Sequence, residues 1–124
     1  MSTDLRTLLQ SALLPAMRAG DKDTVAVVRS ALGAIANAEA VPTPSTTPVG
    51  EGPVAGASTG VGSTEAARRE LSPEEVRKIV ENERQERIHA AEESEAGGLG
   101  EYAARLRTQA AALAFLLERA ADAP

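Results

Sequence analysis

The chain has 124 residues, a net charge of −5 at pH 7, no cysteine and only two aromatic residues, Tyr102 and Phe115. The lack of cysteine excludes disulfides and thiolate metal sites, and the negative charge disfavours non-specific binding to nucleic acid phosphates. No apolar run reaches the roughly 18 residues that span a bilayer, and the first residues do not resemble a signal peptide. We therefore expect a cytoplasmic protein without a membrane partner.

The first predicted helix covers residues 4–19, with Thr3 as its cap and Gly20 as its stop. Its core-facing stripe consists of Leu5, Leu8, Leu9, Ala12 and Ala16. Pro15 removes a backbone donor inside this helix, which predicts a kink. Met17 lies at the edge of the stripe and is predicted to be a core residue.

The second predicted helix begins at Asp21 or Asp23 and runs to about residue 40. Its apolar stripe contains Val25, Val28, Ala31, Leu32, Ile35 and Ala38. Gly33 in the helix interior costs about 1 kcal/mol relative to alanine, so we expect a packing reason for it. Arg29 flanks the stripe. It is either a surface side chain whose stem covers apolar area, or the counter-ion of a carboxylate such as Glu83.

Residues 42–70 are predicted to be a flexible insert rich in proline and glycine. Its helix-breaking residues include Pro42, Pro44, Pro48, Pro53, Gly50, Gly52, Gly56, Gly60 and Gly62. A segment of this composition cannot bury enough apolar surface to offset the entropy lost on ordering. The chain is therefore predicted to contain a first helical pair over residues 1–41 and a second over residues 71–124, within one domain.

The third predicted helix, over residues 73–95, has the strongest start signal in the chain. Ser72 can cap it, a proline suits its first position, and Glu75 completes a capping box. At about 100° per residue, one face carries Val76, Ile79, Val80, Ala90 and Ala91. Glu83 and Arg87 fall near the centre of that face, where charges need partners. We therefore predict a structural ion pair between them, with Arg29 as a candidate third member.

The outer surface of the third helix carries interleaved basic and acidic side chains. One interpretation is a solvated helix with ion pairs at i,i+4 spacing. The other is a nucleic-acid-binding face, for which the candidate residues are Arg29, Arg77, Lys78, Arg84 and Arg87.

The fourth predicted helix begins at residue 100 or 101, after a Gly97-Gly98 stop, and ends near residue 121. Its stripe contains Tyr102, Leu106, Gln109, Ala110, Leu113, Leu116 and Leu117. Phe115 points the other way, so it is either a contact with a protein partner or a lone exposed side chain. Because no strand pattern occurs, the predicted fold class is all-α: a small bundle of four helices with a long flexible loop between the second and third.

The residues of the chain do not form a recognisable catalytic or metal-binding pattern. His89 is the only histidine, and it falls off the apolar stripe, where we expect a surface residue. Glu92, Glu93 and Glu95 have spacings that match no metal loop. We therefore predict no catalytic residue, no metal and no cofactor, and we do not expect the chain to be an enzyme by itself.

Several segments taken in order carry a resemblance to a known family. They are residues 5–23 with the turn at 19–23, residues 28–41, residues 70–76, the run Glu83-Arg84-Gln85-Glu86-Arg87, and the turn Glu95-Ala96-Gly97. In this order they resemble the GatB/YqeY family, and most closely its actinobacterial branch with an insert between the second and third helices. The resemblance covers nearly all residues outside the insert.

The resemblance implies a non-catalytic helical module related to the tRNA-binding tail of the glutamine-dependent aminoacyl-tRNA amidotransferase. The label of the family is carbon–nitrogen ligase activity with glutamine as amido-N-donor. The implied partners are tRNA or amidotransferase-related proteins. The chain has nothing that resembles the catalytic domain of the amidotransferase, so no catalytic residue is carried over. The alternative is a protein–protein interaction bundle without RNA binding, which contacts a partner or a second copy of itself.

Overall fold

The computed structural model describes residues 4–40 and 69–122 of the chain. Within these ranges it contains four helices and no strand: α1 (Leu5–Ala19), α2 (Lys22–Glu39), α3 (Pro73–Ala96) and α4 (Gly100–Asp122). The all-α, four-helix fold class predicted from the sequence is confirmed. Thr3 and all but the last two residues of the predicted insert lie outside the described residues.

The chain divides into two compact units, residues 1–35 with 72–124, and residues 36–71. In the first unit α3 and α4 pack along each other, and α1 contacts both. In the second unit the backbone N–H of Arg69 donates to the carbonyl oxygen of Glu39 at 2.8 Å. The boundaries predicted for the two helical pairs, at residues 41 and 71, stay a prediction.

Gly20 and Asp21 form the turn between α1 and α2. Gly20 has a φ of 72°, in the left-handed region that favours glycine. The N–H of Asp21 donates back to the carbonyl of Ala16 at 2.9 Å. The Asp21 carboxylate then caps α2 by accepting from the hydroxyl of Thr24 at 2.7 Å and from its backbone N–H at 3.1 Å. These bonds, the hydroxyl's above all, hold the pKa of Asp21 below its ordinary value.

The start of α3 has the predicted capping box. The hydroxyl oxygen of Ser72 accepts from the N–H of Glu75 at 3.1 Å, and the Glu75 carboxylate accepts from the N–H of Ser72 at 2.8 Å. Two donors that a helix start leaves unpaired are therefore satisfied locally. At the other end, the N–H of Leu99 donates to the carbonyl of Ser94 at 2.8 Å and closes the short turn into α4.

The core of the first unit is aliphatic, and no aromatic side chain is among its described buried residues. Its buried residues are Leu5, Leu8, Leu9, Ala16, Val27, Val28, Ala31, Ile35, Val76, Val80, Ala91, Ala103, Leu106, Ala110, Leu113, Leu116 and Leu117. The predicted stripes supply most of these residues. Val27, which the stripe of α2 omits, is also buried.

Two residues assigned to the core are exposed, so those assignments were wrong. Met17 is 48% exposed, because it lies on the last turn of α1, where its sulfur faces the Arg29 side chain of α2 at 3.9 Å. Tyr102 is 54% exposed on the first turn of α4.

The packing reason expected for Gly33 is also absent. A Cβ built there would meet no atom within 4 Å.

Gly20 and Gly33 give a matched pair of alanine substitutions with opposite expected effects. Gly20→Ala should lower the free energy of unfolding by about 1 kcal/mol, because alanine is strained at positive φ. Gly33→Ala should raise it by about 0.5–1 kcal/mol, because alanine favours the helix and the space around Gly33 is open. Urea unfolding of both variants measures the two changes, and a loss of stability in Gly33→Ala would contradict the structure around α2.

Candidate functional site

Glu83 and Arg87 lie one turn apart on α3 and form an ion pair. Arg87 Nη1 is 2.7 Å from Glu83 Oε1, and only 17% and 13% of the two side chains are exposed. The Ser30 hydroxyl of α2 donates to the same carboxylate oxygen, also at 2.7 Å. The third member of this cluster is therefore Ser30. Arg29, the candidate from sequence, is an exposed side chain that lies against Met17.

The ion pair belongs to a longer polar network that joins α2, α3 and α4. Arg87 Nε donates to Gln109 Oε1 at 3.4 Å, and Gln109 Nε2 donates to Asp23 Oδ1 at 3.1 Å. Arg105 Nε donates to the same Asp23 oxygen at 3.3 Å. We call these side chains the polar network: Asp23, Ser30, Glu83, Arg87, Arg105 and Gln109.

Every buried side-chain nitrogen and oxygen in the described ranges has a hydrogen-bond partner. The charged groups of the polar network therefore lie between mostly apolar helix surfaces, and no buried group among them is unpaired. A polar network must meet this condition to stabilise a fold. Nothing in the sequence indicates that Ser30 and Asp23 belong to the polar network. Gln109 could have been recognised, because it is an amide side chain within the otherwise mostly apolar stripe of α4.

The basic residues proposed for a nucleic-acid interface have different surroundings. Arg87 is held inside the polar network. Arg84 pairs with Glu81 at 3.1 Å, and Arg77 donates to the carbonyl of Leu117 on α4 at 3.2 Å. Lys78 and Arg29 are exposed, Arg29 on a different helix. Arg77, Lys78 and Arg84 are the three of these cations on α3 that lie outside the polar network.

Phe115 is 58% exposed on α4, as predicted. The guanidinium of Arg119 lies over its ring at 5.7 Å from the centroid, within the range of a cation–π contact. The other large apolar side chains exposed in the described part of the chain are Leu14, Met17, Leu99 and Tyr102.

A cavity of about 310 Å³ lies between α3 and α4, next to the polar network. We call it the α3–α4 cavity, and its lining consists of Glu86, Arg87, Ala90, Tyr102, Arg105, Leu106 and Gln109. A second cavity, of about 490 Å³, lies at the turn between the helices and shares Tyr102 and Arg105 with the first. The two cavities are therefore neighbours along the N-terminal half of α4.

Residues 4–40 and 69–122 contain no group of three or more side chains placed to hold a metal ion. The His89 side chain is 74% exposed, and its Nε2 lies 3.4 Å from a Glu93 oxygen. Among the described helices, none has both the length and the apolar character to cross a membrane.

No family model matches the chain, and neither a curated protein nor a solved structure gives a significant match. The resemblance to the GatB/YqeY family therefore stays a prediction.

The Glu83–Arg87 pair can be tested against an exposed pair on the same helix. Arg87→Ala should cost about 3 kcal/mol, because it leaves a mostly buried carboxylate with only the Ser30 hydroxyl. Arg84→Ala, which breaks the more exposed pair with Glu81, should cost under about 1 kcal/mol. Chemical unfolding of both variants gives the comparison. Equal small losses would show that the Glu83 carboxylate is solvated.

Proposed function

We propose that the chain is a non-catalytic helical module of the GatB/YqeY type, related to the tRNA-binding tail of the glutamine-dependent amidotransferase. The polar network supports this proposal, because four of its six residues come from the segments that carry the resemblance, while Arg105 and Gln109 lie outside them. Asp23 ends the opening segment, Ser30 belongs to the second, and Glu83 and Arg87 begin and end the charged run of α3. A polar network whose groups bond one another constrains the residue types at its own positions, so these segments share a structural role.

In this proposal tRNA contacts the outer side of α3 through phosphate groups. Arg77 and Arg84 are two turns apart on the same side of the helix, and Lys78 lies about 100° around it. Arg87 is not part of this surface, because its guanidinium is bound to Glu83 and Gln109. With few available cations and a net charge of −5, binding is weak, and its dependence on salt is limited to these few phosphate contacts.

The tRNA proposal predicts a specific change in salt dependence. Log affinity should fall linearly with log salt, and the double variant Arg77→Gln with Arg84→Gln should reduce the slope by about 1.4–1.8, since each lost phosphate contact contributes about 0.7–0.9. A tRNA gel-shift titration at several salt concentrations measures both slopes. The control is Arg18→Gln with Arg107→Gln, which changes the net charge equally on other surfaces. If the control flattens the slope as much, α3 is not the RNA-binding face.

A second candidate function is protein–protein interaction, favoured by the exposed ring of Phe115. Aromatic and arginine side chains are enriched at the energetic centres of protein interfaces. Phe115 and Arg119 already pack together on the surface, so both would contact a partner as one preformed unit.

Self-association provides a direct test of this second candidate. If Phe115 is the contact, Phe115→Ser should raise the dimer dissociation constant at least about tenfold, a modest loss for a central aromatic residue. Leu14→Ser is the control, because Leu14 is similarly exposed on α1. Sedimentation equilibrium measures both. A wild-type chain that stays monomeric at high concentration would rule out self-association through Phe115.

A further inference from the structure

We propose that the α3–α4 cavity is a binding site for a carboxylate carried on a small apolar group. Two arginine residues, Arg87 and Arg105, line this one cavity. Guanidinium groups bind carboxylates through pairs of parallel N–H donors, which gives both affinity and orientation. This inference does not depend on tRNA binding, because neither the proposed phosphate contacts nor Phe115 lines the cavity.

The polar network fixes the two guanidinium groups while leaving donors available. Arg87 uses Nε for Gln109 and Nη1 for Glu83, and Arg105 uses Nε for Asp23. Within residues 4–40 and 69–122, Arg87 Nη2 and both terminal nitrogens of Arg105 make no hydrogen bond. The bonds within the protein therefore orient each guanidinium group. Both arginines line the cavity, and each has N–H groups that are not used in the protein.

The charges around the cavity favour a carboxylate over a phosphate. The carboxylates of Asp23 and Glu83 bind the two guanidinium groups, and Glu86 is part of the lining. Negative groups therefore outnumber positive ones here, and no net positive potential attracts a multiply charged anion. Recognition depends on directed hydrogen bonds to one negative group, and a dianion or a nucleic acid backbone is repelled more strongly.

The rest of the lining provides an apolar wall for the group that carries the carboxylate. Ala90 and Leu106 belong to the apolar cluster of α3 and α4, and Tyr102 is 54% exposed beside them. A volume of about 310 Å³ lies at the small end of the range for ligand sites. The second cavity continues past Tyr102 and Arg105, so the ligand is either a free small acid or the C-terminal residue of a polypeptide.

The chain provides its own optical probe of this site. Tyr102 is the only tyrosine and there is no tryptophan, so tyrosine fluorescence reports on the surroundings of this one side chain, which lines both cavities. We expect N-acetyl-leucine to change this fluorescence saturably, with a Kd in the millimolar range that its size allows. N-acetyl-leucinamide, which has the same shape without the charge, should bind about tenfold more weakly.

Variants of the arginines connect the signal to the site. Arg105→Gln should weaken binding of N-acetyl-leucine about tenfold, and Arg105→Lys should restore only part of it, because lysine keeps the charge but loses the paired donors. Arg107→Gln should leave binding unchanged, because Arg107 pairs with Glu95 and does not line the cavity. Circular dichroism establishes that each variant is folded. If Arg105→Gln does not fold, the contrast between acid and amide in the wild-type chain still decides.

Further binding measurements identify the source of the ligand and can overturn the proposal. A peptide that ends in Gly-Gly-Leu should bind more tightly than N-acetyl-leucine if the ligand is a polypeptide C-terminus, and equally if it is a free acid. Equal binding of acid and amide, unchanged affinity in Arg105→Gln, or no saturable signal would each refute a carboxylate site. Tighter binding of adenosine monophosphate at the same residues would refute it in favour of a nucleotide.

Discussion

The Glu83 carboxylate, whose side chain is only 13% exposed, is the constraint on which the arrangement of α2, α3 and α4 depends. A charge among aliphatic side chains is tolerated only when its partners are in place, and here they come from Arg87 one turn along and Ser30 on α2. The bond from Ser30 to Glu83 therefore joins α2 to α3 at one defined position.

Local sequence patterns predicted the four helices of this fold. They could not predict contacts between residues that are far apart along the chain. The capping box at Ser72 depends on residues within one turn, so the sequence contains all of it. The Ser30–Glu83 bond joins residues 53 apart, and the Gln109–Asp23 bond joins residues 86 apart. Helical periodicity predicts which side of a helix a residue lies on. It does not show whether a neighbouring helix extends far enough to cover that residue. Met17 and Tyr102 were misplaced for that reason.

In the candidate sites, too, local sequence patterns predicted some features, and others depend on how the helices pack. Helical periodicity already separated Arg87, on the apolar face beside Glu83, from Arg77 and Arg84, but it did not predict the bond from Arg87 to Gln109 on α4. The cavity follows from the packing of α3 on α4 and has no motif. It shares Arg87, Arg105 and Gln109 with the network, so a ligand there would contact the same groups that hold α2.

The short turn at residues 97–99 has a consequence for the order of folding. It joins α3 to α4, so their extensive packing brings together residues that are close along the chain. Contacts of low sequence separation form early, because little chain entropy is lost in closing them. Ser30 reaches Glu83 only after a much longer segment has closed. Each doubling of a loop adds only about 0.6 kcal/mol, so this separation slows the docking of α2 more than it weakens the finished fold.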